Sequence, residues 1–454
     1  MVSPASRTRE IQDVLWRAAE KLRGSVDAGQ YKEFILGLVF LKYVSDVGTL
    51  GVRWEELARG DGKRLDDAMD AIMRENPTLA GVLPKVFANV DQGRLKELVG
   101  LIGDARFGGE SRDVLGAAYE YFLERFARAE GKRAGEFYTP AGVVRLLVEV
   151  LSPDRGTVYD PCCGSGGMFV QASKLARRGI VVRGQESNER TWRLAKMNLA
   201  IHGMDPSGLA DRWADTFAED RHSGLRAEFI LANPPFNQAD WRRDPGDPRW
   251  RYGAPPLSNA NFAWLQHIVA KLADDGSAGV VLSNGSMSSR QSGEGAIREA
   301  LVRDDLVACM VALPGNLFRT TAIPACLWFL SRDKGDRAGQ ILFVDARGLG
   351  TMVDRTERIL TDADITRVAD TYHAWREMMY VNVLGFCHSA TIAEVAAHDY
   401  VLTPGRYVGT VAGKEDDEPI GDRIERLSKE LYAQFEETAR CEAVVRERLG
   451  RLGE

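Results

Sequence analysis

Apolar residues in the first part of the chain recur at the spacing of an α-helix. Leu115, Ala118 and Phe122 fall on one helical face, and residues 31–44 are apolar nearly all round. The first pattern is typical of an amphipathic helix and the second of a helix buried on every side. We therefore predict an all-helical domain over residues 1–128.

Beyond residue 128 the pattern changes to short apolar runs separated by helical segments. Buried strands are predicted at residues 157–160, 181–185, 229–232, 280–282, 306–313, 326–330 and 341–344, and a further strand is expected to end at 215–216. Helices are predicted at 168–177, 189–201, 263–272, 365–379 and 392–397. Because strands and helices alternate, we predict an α/β domain over residues 129–410.

The last residues, 411–454, show a third pattern. Ile424, Leu431 and Val445 fit a seven-residue spacing with dense Glu and Arg between them, and Thr438 interrupts the seam. This spacing predicts an imperfect coiled-coil tail, which either docks on a partner or packs on its own chain.

The composition narrows the setting in which the protein works. No apolar run reaches the roughly 18 residues that cross a bilayer, and the N-terminus lacks the apolar core of a secretory signal. The six cysteines form no CxxC pair, which argues against a zinc site and a disulfide framework. The net charge of −6 means that any contact with DNA needs local basic patches or a partner. We expect a cytoplasmic protein with no metal site and no membrane contact.

The apolar run 229–232 stops at the tetrapeptide Asn233, Pro234, Pro235 and Phe236. Two prolines end a strand and leave carbonyl groups without competing N–H donors. The carboxamide of Asn233 adds an acceptor, and Phe236 adds a flat apolar face. At the carboxyl end of a strand, where open α/β sheets bind ligands, this cluster suits an amino group on a planar ring. We predict these four residues to be catalytic, the plainer alternative being a turn that only ends a strand.

Loops of small and acidic residues follow the neighbouring predicted strands. The glycine loop 160–167 allows close approach of backbone to a ligand, and no Gly-Lys-Ser/Thr sequence of a phosphate-binding loop follows. Glu186 lies about 20 residues beyond the glycines, where an acid meets ribose hydroxyls in nucleoside-binding folds. Thr139 is expected to cap a helix that has Pro140 at its first position.

Arginine and aromatic residues interleave in the loop 237–257. This composition suits phosphate contact and base stacking, although Asp240, Asp244 and Asp247 offset most of the charge. The candidates for DNA contact are Arg242, Arg243, Arg249 and Arg251. The alternative is an irregular solvated loop.

Together these segments resemble the modification (methylase) subunit of type I restriction–modification systems, a γ-class adenine DNA methyltransferase. The resemblance covers nearly the whole chain and rests on residues 36–46, 136–140, 160–167, Glu186, Asp215, 233–236, and Tyr407 within 402–408. It implies an α/β fold, a Rossmann-like S-adenosylmethionine-dependent methyltransferase sheet, with an N-terminal all-helical domain and a C-terminal helical tail.

The resemblance also implies a cofactor, a reaction and partners. S-adenosyl-L-methionine would be bound by Glu136, Phe137, Tyr138, Thr139, Pro140, Ala141, Asp160, Pro161, Cys162, Cys163, Gly164, Ser165, Gly166, Gly167, Glu186, Asp215, Thr216 and Asn233. Its methyl group would pass to the N6 amino group of an adenine flipped out of duplex DNA. A specificity subunit would read the DNA sequence, with two modification subunits for each specificity subunit, and a restriction subunit is a further possible partner.

Two other functions fit the same residues. Asn-Pro-Pro-aromatic tetrapeptides serve any planar amide or amine, so methylation of a cytosine amino group or of a protein glutamine stays open. A catalytically silent assembly subunit also stays open. A nucleophilic role for Cys162 is disfavoured, because the Pro161-Cys162 pair lies in the glycine loop and not after the fourth strand.

Overall fold

The computed structural model describes residues 28–47, 53–104, 112–130, 139–318 and 324–410, and scattered positions between 424 and 440. The chain divides into two compact units, Met1–Val408 and Gly409–Glu454. The three domains expected from the sequence, with boundaries after residues 128 and 410, stay predictions.

The described part of the N-terminal region is helical. Its helices are α1 (Ala28–Val47), α2 (Trp54–Ala58), α3 (Gly62–Glu75), α4 (Gln92–Asp104) and α5 (Arg112–Glu130). The predicted buried helix is confirmed in α1, where the apolar side chains from Phe34 to Leu41 are at most 1% exposed. The α3 helix begins at an aspartate cap, since the Asp61 side chain accepts a hydrogen bond from the Arg64 N–H. The expected helix face near Leu15 lies outside the described residues.

A mixed sheet forms the centre of the first unit. Its strands are β1 (Gly156–Asp160), β2 (Ile180–Gly184), β3 (Ala227–Ala232), β4 (Leu272–Ser283), β5 (Val307–Ala312), β6 (Ala325–Ser331), β7 (Gln340–Asp345) and β10 (Cys387–Thr391). Two short strands, β8 (Thr351–Met352) and β9 (Arg358–Ile359), form a separate hairpin. The order across the sheet is β10-β7-β5-β6-β4-β3-β1-β2. All neighbours pair in parallel except around β6 and β10, which are antiparallel to their neighbours. Each of the seven predicted buried strands overlaps one of β1 to β7.

Helices complete this α/β domain. They are α6 (Ala141–Leu151), α7 (Gly167–Leu175), α8 (Glu189–Ile201), α9 (Asn261–Lys271), α10 (Glu294–Arg303), α11 (Asp362–Arg376) and α12 (Ile392–Ala397). Alternate strand residues join two separate apolar clusters: Leu231 belongs to the cluster shared with the helical region, and Ile230 belongs to the other. The period of two along β3 therefore buries both faces of the sheet, as the unbroken apolar runs predicted.

The strand order places a crevice in the middle of the sheet. From β1 the chain moves outward to β2 and then returns to form β3 on the other side of β1. In open α/β sheets, ligands bind outside the carboxyl ends of the strands at such a reversal. The loops that follow β1 and β3 therefore flank the expected binding site.

The prediction of a strand that ends at Asp215 is wrong. Within the continuous stretch 139–318, residues 210–214 form no strand, and Asp215 directly precedes a turn at residues 216–218. The segment is held by the edge of the sheet instead: the Ala214 N–H donates to the Glu186 carbonyl at 2.9 Å, and the Gln185 side chain donates to the Ala214 carbonyl at 3.0 Å.

The second unit is helical at its described positions, 424–425, 427–429, 431–432, 434–436, 438 and 440. Ile424 and Leu431 are exposed within this unit, whereas Val445 lies outside the described residues. Among the helices that the structure describes, none combines the length and apolar character needed to span a membrane.

Candidate active site

A cavity of about 210 Å³ opens at the carboxyl ends of the central strands. Among the residues predicted for the site, those that line it are Thr139, Ala141, Asp160, Pro161, Cys162, Cys163, Gly164, Ser165, Gly167, Glu186, Asp215, Thr216, Asn233, Pro234 and Pro235. Pro140, Gly166 and Phe236 are not among the lining residues. Glu136, Phe137 and Tyr138 lie outside the described residues. Segments almost 100 residues apart in the chain thus meet around one space.

The glycine loop is held in a conformation that needs glycine at two positions. Gly164 has φ +55° and Gly166 has φ +80°, both in the left-handed region that side chains disfavour. The Gly164 N–H donates to the Glu186 carboxylate at 3.0 Å, and the Asn198 side chain donates to the Ser165 carbonyl at 2.9 Å. These bonds tie the loop to the end of β2 and to α8, so its backbone lies close to the cavity.

Asp160, the last residue of β1, has a carboxyl group that is a weaker acid than an ordinary aspartate. It is 2% exposed, and its Oδ1 accepts a hydrogen bond from the Cys162 N–H at 2.9 Å. Burial raises the pKa of Asp160 to about 7, against the opposing effect of the Cys162 hydrogen bonds and with some help from the negative charge of Glu186. The protonation state of this carboxyl is therefore sensitive to any charge that enters the cavity near neutral pH.

The two loop cysteines are thiols with raised pKa values. Burial, reinforced by the charges of Asp160 and Glu186, raises the pKa of Cys162 and of Cys163 well above the usual thiol value. Because a thiolate is the nucleophilic form, neither is prepared for attack near neutral pH. Within the stretches that the structure describes, no group of three or more His, Cys, Asp or Glu side chains could hold a metal ion.

Two further acidic residues line the cavity at different points. The Glu186 carboxylate accepts hydrogen bonds from the N–H groups of Gly164 at 3.0 Å and Asn188 at 2.8 Å. Asp215 caps its own turn, accepting from the Phe217 N–H at 2.9 Å and the Ala218 N–H at 2.8 Å. The cavity is thus acidic on the side of β1 and β2.

The Asn233 carboxamide makes a hydrogen bond through its nitrogen but, among the described residues, none through its oxygen. Its Nδ2 donates to the Thr139 hydroxyl at 2.8 Å. Its Oδ1 is buried and has no hydrogen-bond partner among the residues that the structure describes. An unmatched buried acceptor costs about 1–3 kcal/mol, so a ligand donor is the natural partner of this oxygen.

The expected role of Thr139 as a helix cap is wrong. Helix α6 begins at Ala141 with Pro140 as its N-cap, and no side chain caps its first turn. The Thr139 hydroxyl instead accepts a hydrogen bond from Asn233, 94 residues along the chain. No local pattern predicts such a contact.

The structure also adds residues that no sequence pattern had marked. The ring of Phe236 meets that of Phe318 edge to face, with centroids 5.6 Å apart. The helical region also contributes to the cavity lining, through Lys32, Glu120 and Leu123, although its sequence shows no catalytic motif. Tyr407, part of the family resemblance, stacks on Phe343 of β7 and is not among the lining residues.

The arginines of the loop 237–257 divide into two groups. The Arg249 side chain is 12% exposed and pairs with Asp247 at 2.5 Å. It also donates to the Thr216 carbonyl and to His267, each at 3.0 Å. We therefore reassign Arg249 from DNA contact to the interior of the loop, because its donors already serve protein acceptors. Contact of Arg242, Arg243 and Arg251 with DNA stays a prediction, and of these Arg242 and Arg251 are exposed.

Substitutions should separate the two groups of arginines. Arg249→Met leaves Asp247 without its buried partner, so we expect the free energy of unfolding to fall by about 3 kcal/mol in urea denaturation. Arg242→Ala and Arg251→Ala should change the free energy of unfolding by less than about 0.5 kcal/mol. Each should also reduce the slope of log K for DNA binding against log salt concentration by about one. Unchanged stability of Arg249→Met, together with weakened DNA binding, would restore Arg249 to the DNA surface.

The sequence of the chain is similar to those of several known proteins. The N-6 DNA methylase family model matches residues 110–416, and a model of the HsdM N-terminal domain matches residues 11–51. The chain is 46% identical to the type I restriction enzyme HindI methylase subunit of Haemophilus influenzae, covering 88% of this chain and 94% of that one. It is 34% identical to the MjaIX methylase subunit of Methanocaldococcus jannaschii, covering 98% and 92%.

A solved structure shows the same fold over most of the chain. The type I restriction-modification system methyltransferase subunit from Streptococcus thermophilus aligns with a TM-score of 0.71 and 27% identity, covering 88% of this chain and 99% of that one. The chain belongs to the N-6 DNA methylase family and is a DNA methyltransferase of the type I restriction–modification methylase subunits.

Proposed function

We propose that this protein transfers a methyl group from S-adenosylmethionine to the N6 amino group of adenine in duplex DNA, working in the cytoplasm. The observation that carries the proposal is Asn233. Its unmatched Oδ1 belongs to a residue that lines the same cavity as the glycine loop. The residue proposed to accept the amino group and the loop proposed to hold the cofactor therefore line one cavity.

The residues around the cavity fit S-adenosylmethionine. The cofactor carries positive charge and ribose hydroxyls, and the acidic residues Asp160, Glu186 and Asp215 all line the cavity. Glu186 would accept from the ribose, Asp215 would lie near the cofactor's adenine, and the glycine loop would approach the amino-acid end. When bound, the cofactor supplies a methyl group made electrophilic by its sulfonium.

The tetrapeptide 233–236 would make the adenine amine a better nucleophile. The lone pair of an aryl amine is delocalised and reacts weakly. The Asn233 Oδ1 and the Pro234 carbonyl would accept hydrogen bonds from its two N–H groups. These hydrogen bonds favour the tetrahedral form of the nitrogen, in which the lone pair is released. Because these interactions are strongest in the transition state, they raise the rate and not only the affinity.

The target base must leave the duplex, and the energies indicate that partners help. Flipping a base costs a few kcal/mol. Stacking on Phe236 would stabilise the flipped base by about 1–3 kcal/mol, which does not exceed the cost of flipping. We therefore infer a partner that helps to hold the opened DNA. The family resemblance implies that this partner is a specificity subunit that reads the sequence, with two modification subunits for each specificity subunit. A restriction subunit is a further partner of the proposed complex.

Cofactor affinity should rise with pH through about 7. A cation in the cavity favours ionised Asp160, whose pKa burial raises to about 7, so binding below that pH must expel a proton. Between about pH 6 and about pH 8, affinity should increase about 10-fold in isothermal titration calorimetry. In Asp160→Asn this dependence should disappear; an unchanged slope would show that another group titrates.

Labelled-methyl transfer tests the proposed reaction. The protein, purified with its specificity partner, is incubated with methyl-labelled S-adenosylmethionine and with genomic DNA from a host that lacks the gene. We expect label in DNA, and after digestion in N6-methyladenine. Label in methylated cytosine or in protein would support the alternative amino-methyltransferases, and failure to bind the cofactor would support a silent assembly subunit.

A further inference from the structure

We propose that Asn237 and Asn261 form a clamp that positions the tetrapeptide 233–236 for methyl transfer. Asn237 directly follows the tetrapeptide, and Asn261 is the first residue of α9. Neither lines the cavity, so both would act through the tetrapeptide. The inference rests on the proposed function, because it concerns the geometry of the same reaction.

The two asparagines bind each other at two points. The Asn237 backbone N–H donates to Asn261 Oδ1 at 3.1 Å, and Asn261 Nδ2 donates back to Asn237 Oδ1 at 2.9 Å. Asn237 Oδ1 also accepts from the Ser283 hydroxyl at 3.0 Å and from Asn259 Nδ2 at 3.3 Å. A single oxygen thus joins the start of α9, the end of β4 and the short segment that precedes α9.

Besides the Asn233–Thr139 hydrogen bond and the packing of Phe236 on Phe318, the tetrapeptide is held through the chain at its two ends. Its first end follows Ala232, which pairs with Val280 in the sheet ladder. Pro234 and Pro235 have no N–H groups to donate. The backbone beyond them turns sharply at Asn237, where φ is +51°, in the left-handed region that asparagine tolerates better than most residues. The clamp therefore fixes the second end of the tetrapeptide, next to Phe236.

The position of Asn261 makes the clamp rigid. Its side chain is 1% exposed, and its own backbone N–H donates to Asn259 Oδ1 at 3.0 Å. A misplacement of about 1 Å in an active site can cost about 100-fold in rate. Loss of the clamp should therefore reduce turnover while leaving cofactor binding intact, because the glycine loop and Glu186 are held by separate hydrogen bonds.

The two asparagines use their amides differently, which provides a matched pair of variants. The Asn237 side chain uses only its oxygen in the bonds above, so Asn237→Asp keeps the acceptor. Asn261 uses both ends of its amide, so Asn261→Asp places an oxygen against Asn237 Oδ1. Asn237→Gly adopts the left-handed backbone without strain and removes the acceptor.

The experiment measures kcat, the KM for DNA, the cofactor Kd and the thermal unfolding midpoint of each variant in complex with the specificity partner. Asn237→Gly and Asn261→Asp should each lower kcat by about 10–100-fold with the cofactor Kd changed by less than about 3-fold. Asn237→Asp should stay within about 3-fold of wild type in kcat. The double variant, Asn237→Gly with Asn261→Asp, should be no slower than the slower single variant, because both substitutions remove the same hydrogen bond from Asn261 Nδ2 to Asn237 Oδ1.

Opposite results would overturn the clamp. Wild-type kcat in Asn237→Gly, equal losses in the two Asp variants, or a double variant that loses the product of the single effects would each do so. Should Asn261→Asp fail to fold, the comparison of Asn237→Gly with Asn237→Asp decides alone. A wild-type complex that transfers no methyl to DNA would remove the proposed function, whereas an active wild type with an equally active Asn237→Gly removes only the clamp.

Discussion

Replacing Asn233 by alanine should lower kcat for methyl transfer by about 100–1,000-fold. The carboxamide oxygen is buried and unmatched among the described residues, so its natural donor is the amine that reacts. Removing it deletes an interaction that strengthens as the nitrogen becomes tetrahedral. The cofactor Kd should change little, because the glycine loop and Glu186 keep their own hydrogen bonds.

The measurement is single-turnover methyl transfer combined with calorimetric titration of the cofactor. Asn89→Ala is the matched control, since Asn89 is an exposed asparagine in the short helix Phe87–Asn89 of the helical region. A kcat for Asn233→Ala within about 10-fold of wild type would show that the carboxamide oxygen is not the activating acceptor.

Replacing Glu186 by alanine should have the largest effect on cofactor binding. Hydrogen bonds to a charged group contribute about 1.5–3 kcal/mol, so we expect the Kd for S-adenosylmethionine to rise about 10–100-fold. Two losses combine: the ribose loses its proposed acceptor, and the Gly164 N–H loses the carboxylate that holds the glycine loop at 3.0 Å. At saturating cofactor, kcat should stay within several-fold of wild type.

Glu189→Ala provides the control for this variant. Glu189 lies three residues further along, at the start of α8, and pairs with Arg193 at the surface. Surface pairs contribute little, so its removal should leave the cofactor Kd unchanged. Equal affinities in Glu186→Ala and Glu189→Ala would mean that neither the proposed ribose contact nor the bond to the Gly164 N–H contributes to cofactor binding.

Local signals in the sequence were enough to predict several elements closely. The bounds of α8 (Glu189–Ile201) match the prediction, and its cap is local: Asn188 accepts from the Thr191 N–H. The α12 helix (Ile392–Ala397) matches too, beginning at the capping box of Thr391 and Glu394. The α11 helix begins at Asp362, three residues before its prediction, because apolar spacing alone missed the capping box of Thr361 and Asp364.

The contacts that complete the site could not be predicted in this way. Asn233 meets Thr139 across 94 residues, and Arg249 turns inward to Thr216 and His267. Each depends on where the folded sheet brings distant loops together, and no spacing in the chain encodes that meeting. Motifs at strand ends were predictable because parallel strands expose their carboxyl ends at one edge, whichever residues follow.

The most direct test is single-molecule sequencing of host DNA from cells with the wild-type gene, with the Asn233→Ala gene and without the gene. We predict modified adenine at a bipartite sequence motif in the first strain and in neither of the others. Modified adenine that persists in the Asn233→Ala strain, or a wild-type strain without any modified motif, would contradict the account.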